Sequence, residues 1–170
     1  SSTYRKYNDA SIPTKAKAGG AYINSFLATS DAVRNGYDEA LMMDDQGNVV
    51  EAAVANVLVV YRGRLLIPDT GAAALEGITI RTVVELLEHA GHTVERERID
   101  RSMIFSADEL LVTGTAMKVV YAESLDGKPI GTPNYSEKPK AGKFCKFLQE
   151  EFEKVINGDH EKSKDWLEVF

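Results

Sequence analysis

Much of what usually narrows a protein's chemistry is scarce in these 170 residues. The single cysteine, Cys145, cannot form an internal disulfide, so a reducing, cytoplasmic compartment is expected and Cys145 is read as a half-buried helix position. No apolar run approaches the roughly eighteen residues of a membrane-spanning helix. No Lys/Arg block stands out, and 20 basic against 26 acidic residues leave a net charge of −6, which argues against nucleic acid as a partner. Only three histidines are present. His89 and His92 fall at a helix end, and no Cys or carboxylate cluster has metal-ligand spacing, so no metal site is expected. Ser/His/Asp and Cys/His catalytic sets cannot be assembled either. Gly19-Gly20 lacks the G-x-G-x-x-G spacing and a preceding strand, which removes a dinucleotide loop. There is no signal-peptide pattern, and the first methionine is Met42, so the sequence is expected to be part of a longer product.

What remains is 44 % hydrophobic and 27 % charged, the composition of one soluble domain with its own core. Residues 1–16 read as an extended lead-in. A helix is predicted from Gly19 to Arg34, with Tyr22, Ile23, Phe26, Leu27 and Val33 as its apolar stripe and Gly36 as its stop. Strands are predicted at Glu39–Met43, Asn48–Glu51, Asn56–Tyr61 and Arg64–Ile67, the last two joined by Arg62-Gly63. A second helix runs from Thr79 to His89, followed by a half-exposed strand from Thr93 to Ile99 and a short helix near Ser102–Ala107. Strands at Leu110–Thr113 and Val119–Ala122 precede an Asp126-Gly127 turn; residues 134–142 read as loop. Lys143–Ile156 is a third helix, with Phe144, Phe147, Leu148 and Phe152 on one side. Strands clustered between helices without regular βαβ alternation point to an α+β or mixed α/β domain.

Three places hold residue types suited to chemistry. Lys17 sits among Ala16, Ala18, Gly19 and Gly20, where it is either a solvated lysine beside a turn or a desolvated nucleophile, with Lys15 as its rival. Glu51 closes the run Val49-Val50 and is followed by Ala52, Ala53, Val54 and Ala55. Its carboxylate either faces water at a strand end or is held against a cation, for instance a protonated ring nitrogen. Gly77-Ile78-Thr79 precedes a helix, and Gly114-Thr115-Ala116 forms a tight turn after a buried strand; together they could hold a phosphate. Lys138, Lys140, Lys143 and Lys146 read as a solvated face.

These positions fall into a pattern. The segments IPTKAKAGGAYINS (12–25), GYDEALMMDDQGNVVEA (36–52), ALEGITIR (74–81), SADELLVTGTAMKVV (106–120) and DWLEVF (165–170) resemble the C-terminal large domain of branched-chain-amino-acid aminotransferases, within the fold-type IV pyridoxal-phosphate enzymes. The resemblance runs from about Ile12 to the end. It implies a D-amino-acid aminotransferase-like fold, a mixed sheet or pseudo-barrel flanked by helices. Residues 1–16 would be an interdomain segment and 17–170 the large cofactor-binding domain, with a smaller N-terminal domain absent from this chain.

The resemblance further implies pyridoxal 5'-phosphate as cofactor and Lys17 as the Schiff-base lysine. It implies Tyr22 as the partner of the cofactor's phenolic oxygen and Glu51 as the acid on the pyridine nitrogen. Leu75 would pack on the ring; Ile78, Thr79 and Thr115 would donate to the phosphate. The Thr115-Ala116 turn would face the substrate carboxylate. The implied reaction moves the amino group of leucine, isoleucine or valine to 2-oxoglutarate, in a homodimer or higher homo-oligomer. The family's small domain supplies an arginine for the phosphate and much of the side-chain pocket, and a second subunit lends a loop. The alternatives are a D-amino-acid aminotransferase, an aminodeoxychorismate lyase, or a non-catalytic cofactor-binding piece completed by another chain. Departures from the family pattern cluster beside the site: Ala21 where Asn is usual, Ala52, Val54 and Ala55 where Gly, Gly and Glu are usual, Glu76 where Pro is common, and Met117-Lys118 where Ala-Glu is usual. Asn56 is retained.

Overall fold

A computed structural model describes residues 1–69, 71, 73–132 and 138–167. Its centre is the run Asn56–Tyr61 (β3), in which every residue from Val57 to Val60 is buried. Successive side chains on a strand point to opposite faces, so Val57 and Val59 enter one core layer and Leu58 and Val60 the other. Burial on both faces explains why this strand has no polar alternation.

Arg64–Pro68 (β4) and Glu109–Gly114 (β6) flank β3 antiparallel, in a five-stranded mixed sheet of order β5-β4-β3-β6-β7. Val94–Glu97 (β5) lies parallel to β4, and Lys118–Tyr121 (β7) closes the other edge. The parallel pair needs a crossover, which the helix Ile78–His89 (α2) supplies. Lys143–Asn157 (α4) packs beside α2 on the same face, where Val83, Leu86, Leu87, Leu111 and Leu148 are buried together. Burying each such side chain contributes about 2 kcal/mol. The opposite face is covered by the hairpin Leu41–Met43 (β1) with Val49–Ala52 (β2), by the short helix Arg101–Phe105 (α3), and by Leu125 and Ile130. The last two belong to the small hairpin Ser124–Leu125 (β8) and Lys128–Pro129 (β9) and its continuation. Its two-residue turn, like Arg62-Gly63, has both residues at positive φ, the geometry that matches strand twist. Ser163–Trp166 (α5) ends the described chain, and residues 168–170 of DWLEVF lie outside the described residues. So do residues 134–137 of the expected loop.

The mixed α/β class is as expected; two features of the sequence reading are corrected. The helix Tyr22–Arg34 (α1) forms, but its large apolar stripe faces outward: Phe26 is 71 % and Ile23 66 % exposed, and Tyr22, Leu27 and Val33 are exposed too. The packed side consists of small residues instead. Ala28 and Ala32 lie against Ala40, Met42 and Ala53, where a flat face permits close approach. Cys145 is fully buried, not half-buried, and burial pushes its thiol up to about 11. The lysines at 138, 140, 143 and 146 are exposed as expected. Among the described residues, no three His, Cys, Asp or Glu side chains gather where they could hold a metal ion. No helix among them is long and apolar enough to cross a membrane.

Candidate active site

The sheet's β3 and β6 ends, the β2 end, the start of α1 and the start of α2 converge on a cavity of about 150 Å³. Lys17, Tyr22, Glu51, Leu75, Ile78, Thr79 and Thr115 all line it, although the chain separates the first from the last by most of its length. Ala116 is exposed next to Thr115 on the β6–β7 turn and is not part of the lining.

Lys17 ends a 3₁₀ turn at Thr14–Ala16 in the left-handed region, φ 50° and ψ 38°. A non-glycine residue there is strained, and such strain persists where neighbours fix the backbone. The turn before Lys17 is anchored at Thr14, whose N and Oγ1 donate to the Asp9 carboxylate at 2.9 and 3.1 Å. Lys15 points elsewhere: its ammonium donates to the Ala74 carbonyl at 3.0 Å and it lines a separate cavity.

Glu51 is buried and faces a cation of this chain. Lys6 Nζ lies 2.6 Å from Glu51 Oε1, with both side chains under a tenth exposed. The lead-in segment runs beside β1, with Ser2 N donating to Leu41 O and Lys6 N to Met43 O. The β1–β2 register sets Met42 opposite Glu51, which brings Lys6 onto the carboxylate. Burial pushes the Glu51 carboxyl above its ordinary range, and Lys6 pulls it back. The second oxygen, Oε2, accepts from Asn56 Nδ2 at 3.2 Å.

The phosphate candidates meet at one side. Gly77 is the N-cap of α2, and among the described residues no side chain accepts from the amides of Ile78 or Thr79. Thr79 is buried at the wall while Ile78 is exposed at the rim. On the neighbouring wall Thr113, opposite Asn56 in the β3–β6 register, has a buried hydroxyl with no hydrogen-bond partner among the described residues. Buried hydroxyls are nearly always paired, so this one calls for an explanation.

Sequence reasoning misses Lys6 and Thr113. Nothing local marks Lys6, because its role depends on which strand the lead-in lies against. Asn56 stands out in the sequence only as a residue that keeps the family pattern. Its carboxamide contacts, to Glu51, Leu75 O and Gly77 N, become visible only in three dimensions.

Comparison with known proteins places the architecture. The amino-transferase class IV family model matches residues 1–125. A probable branched-chain-amino-acid aminotransferase of Aquifex aeolicus is 36 % identical over 167 residues, 98 % of this chain and 52 % of that protein. The branched-chain-amino-acid aminotransferase of Escherichia coli K12 is 32 % identical over the same shares. Among solved structures, a T.th. branched-chain amino acid aminotransferase complexed with 4-methylvaleric acid superposes with a TM-score of 0.91 at 33 % identity, covering 99 % of this chain and 54 % of that one. The PLP-form enzyme of Thermobaculum terrenum gives 0.89 at 32 %, covering 98 % and 53 %. The chain spans about half the length of the relatives it matches. Sequence and fold agree across that span, and the chain belongs to the class IV aminotransferases.

Proposed function

We propose that the chain is the cofactor-holding part of a pyridoxal-phosphate-dependent branched-chain-amino-acid transaminase. The observation that carries this reading is the convergence of Lys17, Tyr22, Glu51, Thr79 and Thr115 on one cavity. The residues fit the group. An uncapped helix start suits a phosphate, a buried carboxylate suits a ring nitrogen, and the orphan Thr113 hydroxyl has a polar ligand to meet. Similarity to the enzyme seen with 4-methylvaleric acid, a leucine-like carboxylate, supports branched-chain substrates.

When bound, pyridoxal phosphate supplies an electron-withdrawing ring that stabilises negative charge at the substrate's α-carbon. The protein's part is binding, orientation and proton handling. Lys17, exposed at the cavity wall, would carry the proton between the substrate's α-carbon and the cofactor on its Nζ. The Glu51 carboxylate, which Lys6 and Asn56 hold in place, would accept from the protonated ring nitrogen, and the Tyr22 hydroxyl would donate to the phenolic oxygen. Leu75 packs on the ring. Amides of Ile78 and Thr79 and the Thr115 hydroxyl would donate to the phosphate, and the Thr115-Ala116 turn would receive the substrate carboxylate.

The proposal extends to assembly: residues 1–16 join the large domain 17–170 to an N-terminal domain, in a cytoplasmic homodimer or larger homo-oligomer. The outward apolar side of α1, adjoining the cavity through Tyr22, supports a covering partner. The test supplies cofactor, L-leucine and 2-oxoglutarate and measures glutamate. The longer protein is expected to produce it, and the 170-residue chain to do so weakly or not at all. Preference for D-amino acids would favour the D-amino-acid aminotransferase alternative instead.

A further inference from the structure

Asn56 ties Glu51, on the strand before it, to the Leu75–Gly77 segment that leads into α2. Its Nδ2 donates to Glu51 Oε2 at 3.2 Å and to the Leu75 carbonyl at 2.8 Å. Its Oδ1 accepts from Gly77 N at 3.1 Å. A carboxamide is the side-chain group that presents an acceptor and two donors in one plane, and all three contacts agree on its orientation. The fit is close. A Cβ at Gly77 would lie 2.4 Å from Asn56 Oδ1, so the glycine is what lets the α2 start approach. Glu51 stands at the proposed ring-nitrogen end of the cradle, and Gly77 leads directly into the proposed phosphate end.

Resting on the cofactor reading above, we propose that Asn56 is a positioning residue that sets the distance between the two ends of the cradle. Ring-nitrogen and phosphate contacts are thereby made together rather than independently. Two binding contacts held in fixed register reinforce each other, because ordering one end orders the other. If Asn56 is removed, each end still binds and the reinforcement is lost.

The test is equilibrium binding of pyridoxal phosphate and of phosphate-free pyridoxal, followed by absorbance. The loss caused by Glu51→Gln is measured with each ligand, in the Asn56 and Asn56→Ala backgrounds. With Asn56 present, Glu51→Gln is expected to cost about tenfold more for pyridoxal phosphate than for pyridoxal, a coupling of roughly 1.4 kcal/mol. In Asn56→Ala the two losses should be equal. A merely structural asparagine would weaken both ligands and leave that ratio unchanged, which overturns the inference. Gly77→Ala presses on the same carboxamide from the other side and should also abolish the coupling, so an Asn56→Ala variant that does not fold leaves the question decidable. If Glu51→Gln costs the same for both ligands with Asn56 intact, the inference falls while the cofactor reading stands. A wild-type protein that binds neither ligand overturns both.

Discussion

Two helices of this protein begin in the same way and are treated in opposite ways. Both α2 and α4 have a glycine N-cap without a side-chain cap of its own, Gly77 and Gly142. At α4 the deficit is met from inside the fold. The buried Glu109 carboxylate, on β6, accepts from Phe144 N at 3.0 Å and Cys145 N at 2.9 Å. A carboxylate placed there satisfies orphan amides and opposes the positive end of the helix. At α2 no acid among the described residues does the same. Asn56 takes only the Gly77 amide, and the following turn opens on the cavity beside Lys17 and Thr115. The fold thus contains its own control. One helix start is closed by Glu109, and the other is where the proposed reading places the cofactor's phosphate.

The largest expected effect breaks the closed end. Glu109→Ala removes two charge-assisted hydrogen bonds to buried amides and should cost about 3 kcal/mol in denaturant unfolding. Affinity for pyridoxal phosphate should stay close to wild type. Next, Gly142→Ala puts a Cβ 2.1 Å from the Glu109 carboxyl carbon and should cost about 2 kcal/mol. Because that carboxylate is buried among packed neighbours, the loss should appear as a lower Tm, again with cofactor binding spared.

Smaller effects sharpen the open end. Thr113→Val removes a buried hydroxyl that has no partner among the described residues. It should stabilise the ligand-free protein by about 1 kcal/mol, yet weaken pyridoxal phosphate binding. Those opposite signs, read by thermal shift and by titration, separate a ligand contact from a packing defect. The least effect at neutral pH belongs to Cys145. Its folded thiol is raised from 9.0 to about 11, chiefly by burial, so the neutral form stabilises the fold. That stability is fully present below pH 9 and is lost as pH rises toward about 11, since the unfolded chain releases its proton first. Urea unfolding across that window should show the fall, and Cys145→Ala should flatten it.

What the sequence displays and what it hides follow from range. β3 is legible because a strand buried on both faces is a continuous β-branched run, and α2 because Val83, Leu86 and Leu87 repeat at helical spacing before Gly91. α1 is legible as a helix, but its packing side is not, because small residues carry little hydrophobic signal and the large ones point outward. The candidate site residues are readable through the family pattern around Lys17, Glu51, Thr79 and Thr115. Lys6 on Glu51 and Glu109 on α4 are not, since each pairing joins residues 35 or more positions apart through strand register that no local pattern encodes.

The central claim is that the open start of α2 and the strained Lys17 turn belong to one cofactor site. Reaction with pyridoxal phosphate, borohydride reduction and peptide mass mapping tests it most directly. A single cofactor mass on Lys17, absent in Lys17→Ala, is the predicted result. Label on Lys6 or Lys15, or label retained in Lys17→Ala, would contradict it.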